Sequence, residues 1–413
     1  MKEAGPKQPV QAREEAGAEQ LAQVRKEARK KQAALDMIYL ASCALHNIEP
    51  EKGQLDEIEW DVLYRTAKRQ SMTAVVCMAL EASHAFTKME PALAKKWQDD
   101  KNKSIRKTVL MDEEWQKMKG FMESQGIWYM PLKGLVIKDL YPKYGMRQMA
   151  DYDILFDPAG HEKLQAYMAG QGYERKDNKS NIHDAYYMDP VYNFELHWAL
   201  FGDLHNPAWQ NYYKNVKERL IPDKGSCYRF RDEDFYVYMT AHACKHYRSG
   251  GTGLRALMDC YVYCQKKGDA LDWYSVRTEL ELLDLTEFEQ MCRELAFCLF
   301  SEPNPYLTDT LTEKQRKAIE YFIGSGTYGT TEHRIENQLH ALQRDEDAVS
   351  IKTKLHYLWR RLVPNMAWFR TFVPFCYRHK WAIPFFMIYR VLRGLTVRRK
   401  KLWREIQTLR KVR

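Results

Sequence analysis

Two aspartates separated by one residue, Asp151 and Asp153, are the residues of this chain best suited to chemistry. Successive side chains of a β-strand point to opposite faces, so within a strand both carboxylates would lie on the same face. Divalent cations such as Mg²⁺ prefer oxygen ligands, and carboxylates that hold them can also bring in the phosphates of a nucleotide. A pair of this kind also occurs at solvated strand ends, so its surroundings must decide between the two interpretations.

The surroundings of the pair favour phosphate chemistry. Upstream, an apolar run ends in Lys133 and Gly134, and glycine permits a tight turn and a close approach of the backbone to a phosphate. Downstream, the strand-like run 192–200 carries Glu195 at its centre. Three carboxylates on two adjacent strands could hold two metal ions, which predicts metal-dependent phosphoryl or nucleotidyl transfer.

The stretch 131–197 resembles a bacterial branch of uncharacterised nucleotidyltransferases, whose superfamily is related in fold to the palm of DNA polymerase beta. The resemblance is carried by the motifs LKG, LYP, GMRQMADYDILF and ELHW, and a weaker match continues through TAHACKHYRSGGTGLRALMD. The chain departs from the superfamily in having Lys133-Gly134 where a Gly-Ser pair is usual, and in a longer interval before Asp151.

This resemblance implies a set of site residues and ligands. The carboxylates of Asp151, Asp153 and Glu195 would be catalytic and would hold two Mg²⁺ ions, with Mn²⁺ as an alternative. Lys133 and Gly134 would form the phosphate-binding turn, and Arg147 would be a supporting cation. The implied substrates are a nucleoside triphosphate and an acceptor that the sequence does not identify.

Histidines provide further candidates for nucleotide binding. His197 follows Glu195 by two residues and therefore shares its face, where it could be a metal ligand, a contact of the nucleotide or a hydrogen-bonded structural residue. His242 and His246 lie one helical turn apart on an apolar stripe. We interpret them either as a buried pair or as part of the nucleotide pocket, since the glutamate of a His-Glu-x-x-His motif is absent.

Arg255 has two possible partners. Asp259 lies one helical turn away and could pair with it, or Arg255 could reach the triphosphate. The glycine-rich stretch 249–253 just before it lacks the Lys-Ser/Thr of a P-loop, which favours a helix connection over a phosphate cradle.

The pattern of elements predicts an α+β fold in which a small mixed-sheet palm is flanked by N- and C-terminal helical regions. The turn signal Asp189-Pro190 predicts a hairpin that ends in the Glu195 strand, after a polar loop at 176–184. We divide the chain into a mobile charged arm or exposed helix at 1–32, a helical region at 33–125, the palm at 126–205, a helical region at 206–345 and a basic, aromatic helical segment at 346–413.

Composition limits the class of protein. The 413 residues are 45% hydrophobic and 13% aromatic, which is typical of globular proteins. Nine cysteines without a Cys-x-x-Cys pair favour reduced thiols over a disulfide framework or a zinc ribbon. No secretory signal is recognisable, and the apolar cluster 381–392 is shorter than the roughly 20 residues that span a bilayer. We therefore expect a cytoplasmic protein without a transmembrane helix.

The C-terminus is strongly basic. Between residues 393 and 413 there are nine Lys or Arg and one acid, Glu405, so this stretch carries +8 of the formal +9. Aromatic residues precede it, and together they could lie on an anionic membrane or on RNA; a solvated helix end is the alternative. Two functions remain open: a nucleotidyltransferase, or a non-catalytic protein of that fold that binds RNA, membrane or a partner through this segment.

Overall fold

The computed structural model describes residues 8–176, 182–342, 350–397 and 399–411. It begins with a bundle of helices whose buried face starts at Ala33. Residues 20–32 of the first helix are exposed, and residues 1–7 of the segment assigned to the arm lie outside the described residues. The five helices are α1 (Gln8–His46), α2 (Lys52–Asp56), α3 (Trp60–Gln70), α4 (Thr73–Ala82) and α5 (Pro91–Ser124).

A five-stranded mixed sheet follows the bundle, in the order β1-β2-β5-β4-β3. Strand β2 runs parallel to β5, and the other neighbours are antiparallel. The predicted hairpin across Asp189-Pro190 is confirmed as the β4–β5 pair. The elements of this unit are β1 (Tyr129–Pro131), α6 (Gly134–Ile137), β2 (Tyr152–Phe156), α7 (His161–Gly170), β3 (Glu174–Lys176), β4 (His183–Met188) and β5 (Tyr192–His197).

Alternation along β2 divides the sheet between two environments. Tyr152, Ile154 and Phe156 are fully buried in a cluster with residues of α5 and α7. Leu155 points to the opposite face, where it joins the large core of the helical regions. Asp153 lies on that second face, so the buried carboxylate sits between the sheet and the helices that cover it.

A second helical region covers this face. Three acidic residues begin α9, where they complement the positive end of the helix dipole, and a capping box of Thr312 and Gln315 begins α14. The elements are α8 (Pro207–Tyr212), β6 (Leu220–Pro222), β7 (Tyr228–Phe230), α9 (Asp232–Gly250), α10 (Leu254–Lys267), α11 (Trp273–Leu282), α12 (Thr286–Phe300), α13 (Leu307–Thr310), α14 (Glu313–Ser325) and α15 (Thr331–Leu342).

The chain ends in a C-terminal segment of shorter helices. Tyr357 and Leu409 of this segment pack against Ile335 and Leu339 of α15. Within the described residues, no helix combines the length and apolar character needed to cross a membrane. The helices of the segment are α16 (Ile351–Leu362), α17 (Met366–Phe372), α18 (Pro374–Arg378), α19 (Ile383–Thr396) and α20 (Arg399–Lys411).

The architecture confirms the predicted α+β class, a small mixed sheet flanked by helical regions. The nine cysteines are free, and most of them are buried, as the composition predicted. The stretch 249–253 connects α9 to α10, in agreement with the preferred interpretation of this glycine-rich sequence.

Candidate active site

The site is built on the central pair of parallel strands. Asp153 of β2 is in register with Glu195 of β5, and neighbouring strands lie only about 4.8 Å apart, so the two carboxylates are side by side. Asp151 immediately precedes β2 and is half-buried, whereas Asp153 is buried. The three carboxylates predicted from the sequence therefore converge at one place.

Asp153 is a buried anion with two donors on a single oxygen. Lys133 Nζ lies 2.6 Å from Asp153 Oδ1, and His197 Nε2 lies 2.9 Å from the same atom. Burial opposes ionisation of Asp153, but the charge of Lys133 and the hydrogen bond from His197 outweigh it and hold the pKa of Asp153 well below its usual range. Asp153 is thus ionised, and Lys133 is its counterion.

The backbone brings Lys133 to this position. Lys133 has φ of 48° and ψ of −121°, a conformation that favours glycine, and α6 begins at the next residue. The lysine predicted to bind phosphate is therefore held in a tight turn with its side chain on the buried carboxylate. Backbone strain of this kind costs about 1–3 kcal/mol and is concentrated at functional sites.

Arg147 packs against the Lys133-Gly134 turn. Its guanidinium donates two hydrogen bonds of 2.8 Å to the carboxylate of Asp259 on α10, and Tyr141 donates a third of 2.7 Å. A Cβ atom added at Gly134 would lie 2.3 Å from Arg147 Nη1, so the turn rests directly on the guanidinium. Asp259 pairs with Arg147, so the alternative in which it pairs with Arg255 is wrong.

Arg255 instead fixes the loop before β2. Its Nη1 donates a hydrogen bond of 3.0 Å to the carbonyl oxygen of Gln148. Burial and the nearby charge of Arg147 lower the pKa of Arg255, while Asp259 and Asp151 act in the opposite direction. Arg147 in the loop and Arg255 on α10 are therefore both bound to protein groups.

A second group of ligand atoms lies beside the carboxylates. His183 and His197 are opposite each other in the β4–β5 ladder, with ring centroids 4.6 Å apart. The Nε2 atoms of His183 and His197 lie 3.7 Å and 3.5 Å from Glu195 Oε2. Potential ligand atoms of these three residues all lie within 4.8 Å of one another. Such spacing and donor types fit a single divalent cation.

His183 was missed because the sequence placed it in the polar loop at 176–184. In the structure β4 already begins at His183, whereas residues 177–181 of that loop lie outside the described residues. Its partner His197 lies fourteen residues away, so only the hairpin register, counted back from Asp189-Pro190, could have brought the two histidines together.

Helix α9 packs over the site and contributes Lys245, a residue that the sequence pattern did not indicate. Lys245 forms no ion pair among the described residues, although its environment includes the charges of Lys133, Asp153 and Glu195. Burial and the charge of Lys133 lower the pKa of Lys245 to about 8. Lys245 lies between His242 and His246 along the helix, and the Nε2 atoms of the two histidines lie 3.0 Å apart, so the histidines contact each other.

Asp151 lies close to the negative charges of two other carboxylates. Burial and the neighbouring charges of Asp153 and Glu195 raise the pKa of Asp151 to about 6, against the opposing effect of Lys133 and Arg255. The ligand group is that of His183, Glu195 and His197, and the carboxylates of Asp151 and Asp153 add negative charge close to Glu195, which would attract a divalent cation.

We predict that replacing Gly134 by alanine disturbs the turn. Because the added methyl group would displace a guanidinium that is held by Asp259, Gly134→Ala should lower the free energy of unfolding by about 1–3 kcal/mol, measured by urea denaturation. The matched control is Gly120→Ala near the C-terminal end of α5, where no atom of another part of the protein lies within 4 Å of the added Cβ. That change should increase stability by about 0.5–1 kcal/mol, and equal stabilities of the two variants would refute the interpretation.

Asp151 should make stability depend on pH. Since its pKa is about 6 in the folded protein and 3.8 ordinarily, the folded state holds the proton more tightly, and stability falls as pH rises from about 4 to 6. Asp151→Asn, measured in EDTA by thermal denaturation, should therefore melt at a higher temperature than the wild type at pH 7.5, with the gain lost at pH 4. The exposed Asp99→Asn is the control, and a destabilised Asp151→Asn protein at pH 7.5 would contradict the prediction.

Comparison with known proteins identifies a family that covers the sheet and the helices around it. A family model described as an uncharacterised nucleotidyltransferase matches residues 56–301, which include the sheet, the site residues and most of the surrounding helices. No curated protein and no solved structure matches the chain. The chain belongs to this uncharacterised nucleotidyltransferase family.

Proposed function

We propose that the protein transfers a nucleoside monophosphate from a nucleoside triphosphate to an acceptor, with divalent cations held by Asp151, Asp153 and Glu195. The observation that supports the proposal is the register pair of Asp153 and Glu195 on β2 and β5, with Asp151 just before β2 and a strained Lys-Gly turn beside it. Bound cations would neutralise the triphosphate and polarise the phosphorus under attack. The acceptor remains unassigned.

Different side chains of the site would bind the nucleotide, position the turn and accept the proton. Lys133 keeps Asp153 ionised and adjacent to the phosphate-binding turn at Gly134. Lys245 is the cation that we assign to the triphosphate, because Asp153 already engages Lys133 and no carboxylate among the described residues pairs with Lys245. The ion pair with Asp259 makes Arg147 a positioning residue for the turn. We assign His242, His246 and Arg255 to contacts with the nucleotide, since His242 and His246 are close to Lys133 and Arg255 is close to Asp151.

Asp151 is the best candidate for the group that accepts the proton of the acceptor. A general base works best when its pKa lies near the operating pH, and the pKa of Asp151 is raised to about 6. Asp151 is also half-buried, so an acceptor can approach it more readily than the fully enclosed Asp153. A carboxylate that both orients a cation and removes a proton is compatible with in-line attack on the α-phosphorus.

The alternative is a protein of this fold that binds partners without catalysis. It is supported by the fact that Lys133 and His197 already occupy one oxygen of Asp153, so the buried charge is neutralised within the protein itself. Nucleotide binding that depends on both metal and carboxylates separates the two functions.

The deciding experiment is calorimetric titration of the four nucleoside triphosphates with Mg²⁺ or Mn²⁺. Lys245→Gln should weaken binding about tenfold or more, because a hydrogen bond to a charged group contributes about 1.5–3 kcal/mol. Asp151→Asn should remove the metal-dependent part of binding and abolish turnover, and the exposed Lys314→Gln is the control for the lysine variant. Absence of binding for all four nucleotides would favour the non-catalytic function.

The histidines predict which cation is preferred. Imidazole ligands suit Mn²⁺ and Zn²⁺ better than Mg²⁺, so the group of His183, Glu195 and His197 should bind Mn²⁺ more tightly than Mg²⁺. His183→Gln should reduce the difference between the affinities for Mn²⁺ and Mg²⁺. The affinities are measured by Mn²⁺ electron paramagnetic resonance with Mg²⁺ as competitor. The control is His161→Gln, since His161 pairs with Asp184 elsewhere on β4. Equal affinities of the wild type for the two ions would argue for carboxylates alone.

A further inference from the structure

The apolar surface of this protein is concentrated in the C-terminal segment, residues 350–413. Of the 29 large hydrophobic side chains that are strongly exposed among the described residues, 18 lie between Ile351 and Trp403. Many large apolar side chains exposed within one segment are typical of an interaction surface. The concentration of exposed apolar side chains therefore indicates that the C-terminal segment contacts a partner.

The same segment holds the positive charge of the chain. Residues 350–413 contain seventeen Lys or Arg and a single acid, Glu405, whereas the other 349 residues carry a formal charge of −7. Glu405 is buried and is paired with Arg334 at 3.4 Å and Arg361 at 3.1 Å. No acidic side chain of the described segment is thus left to offset its charge at the surface.

Helix α16 combines both properties on one side. Ile351, Leu355 and Trp359 follow a spacing of four residues and are 77%, 61% and 64% exposed. By helical geometry, Lys352 and Lys354 lie on either side of this apolar stripe, while Tyr357 faces the protein and is buried. An apolar stripe flanked by lysines is typical of a helix that lies in the plane of a bilayer surface.

Helix α19 presents a second apolar stripe. Phe385, Ile388, Tyr389, Leu392 and Leu395 are all more than half exposed. The opposite face of α19 packs into a small core around Phe369 and Cys376. The outer stripe therefore belongs to a folded element whose inner face is already covered.

The segment is fastened to the rest of the molecule. Tyr357 and Leu409 pack on α15, and Arg370 forms an ion pair of 2.5 Å with Asp203 in the loop that follows β5. The C-terminal segment is therefore packed against the rest of the protein, and its contact with Asp203 lies close to strand β5, which holds Glu195.

From these observations we infer that the C-terminal segment docks the protein on an anionic lipid bilayer, with α16 and α19 at the level of the headgroups. Aliphatic side chains such as Ile351, Leu392 and Leu395 gain by entering the boundary of the acyl chains, and they would gain nothing on a polyanion such as RNA. Tryptophan and tyrosine are enriched at that depth. A second copy of the chain would oppose two surfaces of the same strong positive charge.

The test is flotation of the full chain with vesicles. Vesicles of equal parts phosphatidylcholine and phosphatidylglycerol should bind the protein, pure phosphatidylcholine should bind it far more weakly, and high salt should reduce the binding. Trp381→Ser/Phe385→Ser should weaken partitioning at least about tenfold. Both residues are more than 60% exposed, so the far-ultraviolet circular dichroism and melting temperature should not change.

The matched control is Tyr274→Ser/Leu282→Ser, which removes two equally exposed apolar residues from α11. This variant should bind vesicles like the wild type. The inference is overturned if anionic vesicles fail to bind the protein, and equally if single-stranded RNA binds while vesicles do not. It is also overturned if the wild type is a dimer that the Trp381→Ser/Phe385→Ser change dissociates and neither form binds vesicles.

Discussion

The arrangement of the site depends on one buried anion, the carboxylate of Asp153. An ionised carboxylate away from water is strongly unfavourable unless charge and hydrogen bonds compensate it. Here a single oxygen receives both Lys133 and His197, which come from opposite ends of the unit: the turn after β1 and the end of β5. The two contacts of Asp153 therefore connect the Lys133-Gly134 turn to strands β2 and β5. The ion pair with Asp153 also stabilises the strained backbone of Lys133.

A second buried pair, Arg147 with Asp259, connects this unit to the helices. Removing one partner of such a pair leaves an uncompensated charge, which costs about 3–5 kcal/mol, so the loop before β2 and helix α10 are held together as one body. Gly134 lies against the Arg147 guanidinium, and a change in α10 would reach the Lys133-Gly134 turn through two contacts. This explains how an arginine without a free charge can still determine the geometry of the site.

The sequence was sufficient for those features that local patterns determine. Alternation placed Asp151 and Asp153, Asp189-Pro190 predicted the hairpin, and the start of the apolar pattern at Ala33 coincides with the start of burial. It was insufficient where partners come from distant segments. Lys133 and Arg147 were both predicted to serve phosphate, but Asp153 and Asp259 engage them, and neither pairing has a local signal. Lys245 was hidden between two more conspicuous histidines, and His183 in a loop.

The distribution of charge limits how a nucleotide can bind. Apart from its C-terminal segment the chain is net negative, and three carboxylates meet at the site, so an approaching triphosphate encounters repulsion rather than attraction. Lys133 is neutralised by Asp153, and Arg147 by Asp259, which leaves Lys245 and Arg255 as cations near the site that form no ion pair among the described residues. These two cations cannot balance a triphosphate beside the remaining carboxylates of Asp151 and Glu195. Under the proposed function, affinity for the nucleotide would therefore come chiefly from cations bound together with it, so that metal and nucleotide would each strengthen the binding of the other.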